Sequence, residues 1–140
     1  MIEAPRRRRA PTIAIAMVGC LGLVACSDDD PSRTLTVTID GPAEVEIPAG
    51  SALQVELVDI SVADAPAAVI DGDRRIVTSL PVEVVLDYDR REIDGDHMYA
   101  IEARVEDADG NLVLITDTAD LVLTGDRPAD NTTVTLVGLT

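Results

Sequence analysis

The sequence predicts an all-β chain, an antiparallel β-sandwich of about seven to eight short strands in the immunoglobulin or transthyretin manner. Three observations point there. Val, Ile and Leu recur at every second position in short runs, the signature of half-buried strands. Asp, Gly and Pro interrupt those runs at nearly regular intervals. No segment sustains a 3.6-residue period, so no crossover helix is available to join parallel strands.

The chain opens differently from how it continues. Arg6 to Arg9 form a charged head, and Ala10 to Val24 follow as an apolar run. That run is shorter than the roughly 20 residues of a membrane span and fits the apolar core of a secretory signal. It ends in Leu23-Val24-Ala25-Cys26, which resembles the lipobox of bacterial lipoproteins. The resemblance implies that Cys26 becomes the mature N-terminus and carries a diacylglyceryl thioether and further acyl chains such as palmitate. An ordinary signal peptide that contains a cysteine is the plainer alternative. Cysteine arithmetic favours the lipobox: Cys20 lies inside the apolar run and leaves with it, so Cys26 has no disulfide partner. Two or three acyl chains, at about 0.8 kcal/mol per buried CH₂, anchor a protein stably where one does not. Residues 1–25 are thus expected to be a lipoprotein signal peptide, 26–33 the lipidated cysteine and a flexible tether, and 34–140 the sandwich domain. Ser27, directly after the cysteine, points to release to the outer membrane.

Within the domain, Leu35, Val37 and Ile39 alternate with threonines until Asp40-Gly41-Pro42. Val45 and Ile47 suggest a weak strand closed by Pro48. Leu53, Val55 and Leu57 share a face, and then Val58, Ile60 and Val62 take over. Because the period of a strand is two, that slip at Leu57-Val58 predicts a β-bulge or a change of sheet. Asp64-Ala65-Pro66 stops the strand. Ile76 to Leu80 reads as a short strand, Val82 to Tyr88 as the next, and Tyr99 to Val105 as another. Asp107-Ala108-Asp109-Gly110-Asn111 is a hairpin turn, followed by strands over Leu112–Ile115, Leu121–Thr124 and Thr132–Val137.

Charge narrows the functional classes. Beyond residue 25 there are 7 Arg, no Lys and 25 acids, a net of −18. Such a surface repels nucleic acid and lacks the basic patch that holds proteins to anionic lipid. Trp and Phe are absent, and Tyr88 and Tyr99 are the only Tyr, so the core must be aliphatic. A domain of this size buries roughly 65% of its unfolded surface, one two-layer core with little spare volume.

The chemistry-bearing residues do not assemble into a catalytic set. His97, beside Asp94 and Asp96, could be a base oriented by a carboxylate, but no serine or free cysteine is placed as its nucleophile. It reads as an exposed turn histidine. Three acidic segments, Asp71-Gly72-Asp73, Asp94-Gly95-Asp96 and Asp107-x-Asp109-Gly110, offer oxygens for Ca²⁺, yet they are also what turns demand. The last resembles the start of an EF-hand loop, with Thr118 where the bidentate Glu belongs. One His and no free Cys leave zinc without ligands. No metal and no cofactor is expected. Arg74-Arg75 and Arg90-Arg91 lie among acids and read as local charge balance.

The stretch Leu53–Ile70 contains Asp59, Ser61, Ala63, Asp64, Ala65 and Pro66 in the pattern Asp-x-Ser-x-Ala-Asp-Ala-Pro. With the Ile76–Val84 segment, Tyr99–Asp107 and Leu114-Ile115-Thr116-Asp117-Thr118, it resembles the YbaY-type envelope lipoproteins, a family that includes the YscW pilotins of type III secretion. The likeness spans about Leu53 to Val137. One departure is that Val82 and Val84 follow Pro81 where relatives often carry Phe. The resemblance implies a non-catalytic, monomeric β-sandwich tethered through Cys26 to the outer membrane and facing the periplasm. It also implies a binding or chaperone/pilotin-like role toward an envelope or secretin-type partner; a passive structural or stress-related lipoprotein is the alternative. The signature residues are expected to shape a strand end and turn.

Overall fold

The computed structural model describes residues 30–139. The signal segment, Cys26 and Ser27 lie outside the described residues, and from Pro31 onward the chain folds as one compact unit. Nine strands follow in order: β1 Ser32–Asp40, β2 Ala52–Asp59, β3 Ala68–Ile76, β4 Val82–Asp89, β5 Tyr99–Glu106, β6 Leu112–Ile115, β7 Asp120–Val122, β8 Asn131–Thr135 and β9 Val137–Gly138. A single 3-10 turn, Arg90–Glu92, is the only helical element among the described residues. The strands form a three-stranded sheet, β4-β1-β8, and a six-stranded sheet, β3-β2-β5-β6-β9, in which β7 also pairs with β5. The expected β-sandwich is what forms.

Alternation decides which side chains meet between the sheets. Leu35, Val37 and Ile39 of β1, with Val84 and Leu86 of β4, face Leu53, Val55 and Leu57 of β2 and Ile101 and Val105 of β5, all fully buried. Each such side chain contributes about 1.5–3 kcal/mol by leaving water. Tyr99 fills the core as its largest residue, and its hydroxyl accepts a 2.8 Å bond from the Asp94 N–H. Leu136, between β8 and β9, is buried where the chain leaves one sheet for the other.

The predicted slip at Leu57-Val58 is present: β2 pairs Leu57 with Asp71 and Val58 with Val69, which leaves Ile70 of β3 as the bulged residue. The predicted hairpin at Asp107–Asn111 also forms. There the Asp107 carboxylate accepts the N–H groups of Asp109 and Asn111, at 2.9 and 2.8 Å, and Gly110 supplies φ 85°.

Five expectations need correction. Asp71-Gly72-Asp73 is not a turn; it is the middle of β3, an edge strand held to β2 through backbone bonds that need no apolar pattern. That strand ends at Ile76, so Ile76 to Leu80 is not a strand. Val45 and Ile47 are not a strand either; they sit in a loop that packs against the core. Finally, β8 pairs with β1 in parallel, from Thr36↔Asn131 to Asp40↔Thr135, while every other pair is antiparallel. In addition, β1 begins at Ser32, two residues inside the expected tether.

On one side the two sheets are closed by side chains. Asp71 of β3 accepts the N–H of Asp87 on β4 at 2.7 Å, and Arg75 donates to the carbonyl of Glu83 at 3.2 Å. Edge groups that would otherwise invite another strand are thereby occupied.

Candidate functional site

Two sequence segments that resemblance had singled out meet on the outer face of the six-stranded sheet. The first is the end of β2. Asp59 accepts bonds from both the backbone N–H, at 2.9 Å, and the hydroxyl of Ser61, and its second oxygen lies 2.8 Å from His97 Nδ1. The Ser61 hydroxyl in turn accepts the N–H of Met98 at 2.9 Å, and Ile60 donates its N–H to the Met98 carbonyl. A short polar clamp therefore ties the β2 end to the turn before β5. Beyond it, Ala63-Asp64-Ala65 turns the chain, with Asp64 at φ 65° in the left-handed region that Asp and Asn tolerate better than most residues. Pro66 then precedes β3, and Ala63, Asp64 and Ala65 are exposed.

The clamp shapes its own electrostatics. Bonds from Ser61 hold the Asp59 carboxyl below its ordinary range, with His97 adding to the effect. The Asp59 hydrogen bond pushes the His97 imidazole up. His97 therefore does not stand alone in its turn: its main partner is 38 positions away, and Asp94 approaches its other nitrogen only to 3.8 Å. Among the described hydrogen bonds no serine or threonine hydroxyl reaches the imidazole; Ser61 donates to Asp59.

The second segment is Ile115–Thr118. Along β5, β6 pairs with Arg104–Glu106 and β7 with Tyr99–Ile101, so no strand pairs with Glu102 and Ala103 on that side. The chain arches out between β6 and β7, and Thr116 replaces the missing ladder by donating its N–H to the Ala103 carbonyl at 3.0 Å. Arch and sheet enclose a groove of about 340 Å³. Ile60 from the clamp closes one end, Ala100, Glu102 and Arg104 of β5 with Gln54 and Glu56 of β2 make the floor, and Ile115 to Ala119 make the wall. Its volume lies at the small end of ordinary ligand pockets.

The floor follows from register. Gln54 faces Arg104, Glu56 faces Glu102 and Val58 faces Ala100 across the two strands. Val58 and Ala100 are buried although they point away from the core. Asp117 of the arch is exposed; beside it, Asp120 has its carboxyl raised, first by burial and then by the Asp117 charge. Sequence reading missed this floor, because Glu56, Glu102 and Arg104 look like ordinary outward residues of alternating strands. Only the pairing of β2 with β5 brings them together.

The other segments of interest stay apart. Asp94-Gly95-Asp96 is a turn in which Asp94 accepts the Asp96 N–H. Among the described residues no group of His, Cys, Asp and Glu is arranged to hold a metal ion. A second hollow lies between the 40–49 and 78–80 loops, floored by Leu114, and none of the signature residues reaches it.

Comparison with known proteins agrees with this architecture. The model of the type III secretion system lipoprotein chaperone family, YscW, matches residues 30–136. An alternative pilotin from the type II secretion system of Vibrio cholerae has a solved structure that superposes with a TM-score of 0.71. It is 33% identical, over 78% of this chain and 98% of that one. No curated protein sequence matches. Taken with the sandwich and its two converging segments, the family match establishes that this chain belongs to the YscW family of secretion lipoprotein chaperones.

Proposed function

We propose that the protein is a lipid-anchored, pilotin-like chaperone of the bacterial cell envelope, and that it docks a segment of a secretin-type partner in the groove on its six-stranded sheet. One observation carries the reading: Ile60, the unspecified position within the Asp59–Pro66 signature, and Ile115–Thr118 of the second family-like segment line the same groove, at its end and along its wall. The family match and the likeness to a type II secretion pilotin support the chaperone role. Residues 1–25 are the signal peptide, Cys26 carries the lipid, the tether runs to about residue 33, and the sandwich faces the periplasm from the outer membrane as a monomer. The lipobox and Ser27 support that placement. The YbaY-type lipoproteins are the nearer relatives within this reading, on the strength of the Asp-x-Ser-x-Ala-Asp-Ala-Pro signature. The chain performs no catalysis; its work is binding.

The test is a photo-crosslinking amino acid placed at Thr116, in the groove, or at Glu83, on the outer side of β4, in intact cells. A single stoichiometric envelope partner crosslinked from Thr116 and not from Glu83 is expected. Crosslinks to background proteins only, from both positions, would leave a passive lipoprotein. Separately, Cys26→Ala is expected to release the protein from the membrane fraction, and a variant that still pellets with membranes defeats the lipid anchor.

A further inference from the structure

The groove has a charge problem built into its floor. Glu56 and Glu102 are direct cross-strand partners on the outer face, a placement that sets their Cβ atoms about 5 Å apart and destabilises the sheet when both are ionised. The surroundings do not relieve it. On its other side Glu56 faces Gly72 of β3, which has no side chain to offer, and Arg74, diagonal to it on the same face, is exposed and forms no ion pair with it. On its other side Glu102 faces no strand, and the arch there brings Asp117, another anion. The one cation of the floor, Arg104, is directed elsewhere: its Nε lies 3.2 Å from Glu106, and its Nη2 donates to Gln54 at 3.0 Å. Glu56 accepts a bond from Gln54 at 2.7 Å, which leaves its charge in place. Among the described residues neither Glu56, Glu102 nor Asp117 enters an ion pair.

Around the paired carboxylates Ile60, Ala100, Ile115 and Ala119 give the groove apolar surface. Its occupant must therefore bring a positive charge over the two carboxylates and apolar side chains to either side. A second copy of the chain does not fit, since each brings a net −18 from residue 26 onward. A bare metal ion does not fit either, because these carboxylates are not grouped as a coordinating set.

We infer that the groove takes a cationic amphipathic segment of a protein partner, with an Arg or Lys set over Glu56 and Glu102 and apolar residues against Ile60, Ala100 and Ile115. This rests on the reading of the groove as the docking site and adds the chemistry of what docks. Like charges left facing each other in the free protein make binding the event that neutralises them, so the cost is carried by the empty state.

The test uses the full chain in neutral detergent and two synthetic helix-forming peptides with the same Leu/Ala apolar face, one bearing Arg and one bearing Glu along its polar face. Amide NMR shifts are followed. The Arg peptide is expected to move the resonances of Ala100, Glu102, Ile115 and Thr116 and the Glu peptide to leave them still. The Glu56→Gln/Glu102→Gln double variant is expected to bind the Arg peptide about ten-fold more weakly, while its own melting temperature rises by roughly 1–4 °C as the repulsion is removed. A matched control, Glu83→Gln/Asp126→Asn, removes two charges from elsewhere and is expected to bind as the unaltered protein does. Equal weakening by both double variants, or shifts spread over other faces, would mean that the overall acidity attracts the peptide and would overturn the inference. Shifts at the same residues produced by calcium chloride alone would overturn it as well. If both peptides fail while the Thr116 crosslink still captures its partner, the docking reading stands and the cationic occupant falls.

Discussion

The two faces of the β2–β5 pair obey opposite rules. Inward, the rows are Leu53–Val105, Val55–Ala103 and Leu57–Ile101, each aliphatic and buried. Outward, one residue along each strand, they are Gln54–Arg104, Glu56–Glu102 and Val58–Ala100. The same backbone register serves both faces, so it cannot account for the contrast. The inner rows are optimised for the fold, and the outer middle row opposes it. A local conflict of this kind, within an otherwise consistent sheet, is where function is to be sought.

The comparison can be broken by substitution. Leu57→Ala, on the inner face, is expected to cost about 2–5 kcal/mol in urea unfolding, because it removes a fully buried side chain and leaves a cavity. A loss comparable to that of an exposed position such as Val62→Ala would show that the inner face does not carry the fold. Asp59→Ala, at the clamp where the faces end, is expected to cost about 1–3 kcal/mol, since it strips a partly buried acceptor from Ser61 and His97. On the outer face Glu102→Gln is expected to stabilise by about 0.2–1 kcal/mol. A destabilisation there would show that the carboxylate pair supports the sheet.

The smallest expected effect is a pH dependence. Asp59 is held below its ordinary 3.8, so its contribution is present above that value and fades as pH falls through the lowered one. His97 is raised above its ordinary 6.5, so its contribution is complete below 6.5 and fades as pH rises through the raised value. The clamp is thus strongest between the two. The difference in urea midpoint between the protein and His97→Gln should be largest near about pH 5 and shrink by about pH 9; a constant difference would exclude the ion pair.

What the sequence disclosed, and what it withheld, has a physical pattern. Alternation reports burial on one face, so β1, β2, β4 and β5 were legible, and even the bulge showed as a phase slip. It reports nothing about backbone ladders. The polar edge strand β3, with Asp71-Gly72-Asp73 at its centre, therefore looked like a turn, and Val45 and Ile47, which pack from a loop, looked like a strand. The parallel β1–β8 pair left no trace because strand direction has no residue code. At the candidate site the signature segment was visible and its meaning partly so. Asp59 and Ser61 are neighbours in sequence, but His97 and the Glu56–Glu102 row become neighbours only through pairing across roughly forty positions.

The parallel β1–β8 pair has a mechanical consequence. β1, starting at Ser32, is the central strand of its sheet, and β8 lies beside it in the same direction. Tension applied between Ser32, at the start of β1, and Thr135, at the end of β8, pulls these parallel neighbours along their length, loading their hydrogen bonds in shear so that they share the force and do not peel one at a time. Single-molecule pulling is the measure: grips at Ser32 and Thr135 should show a higher rupture force than grips at Asp40 and Thr135, the adjacent ends of the two strands, and equal forces would show that the strand arrangement gives no protection.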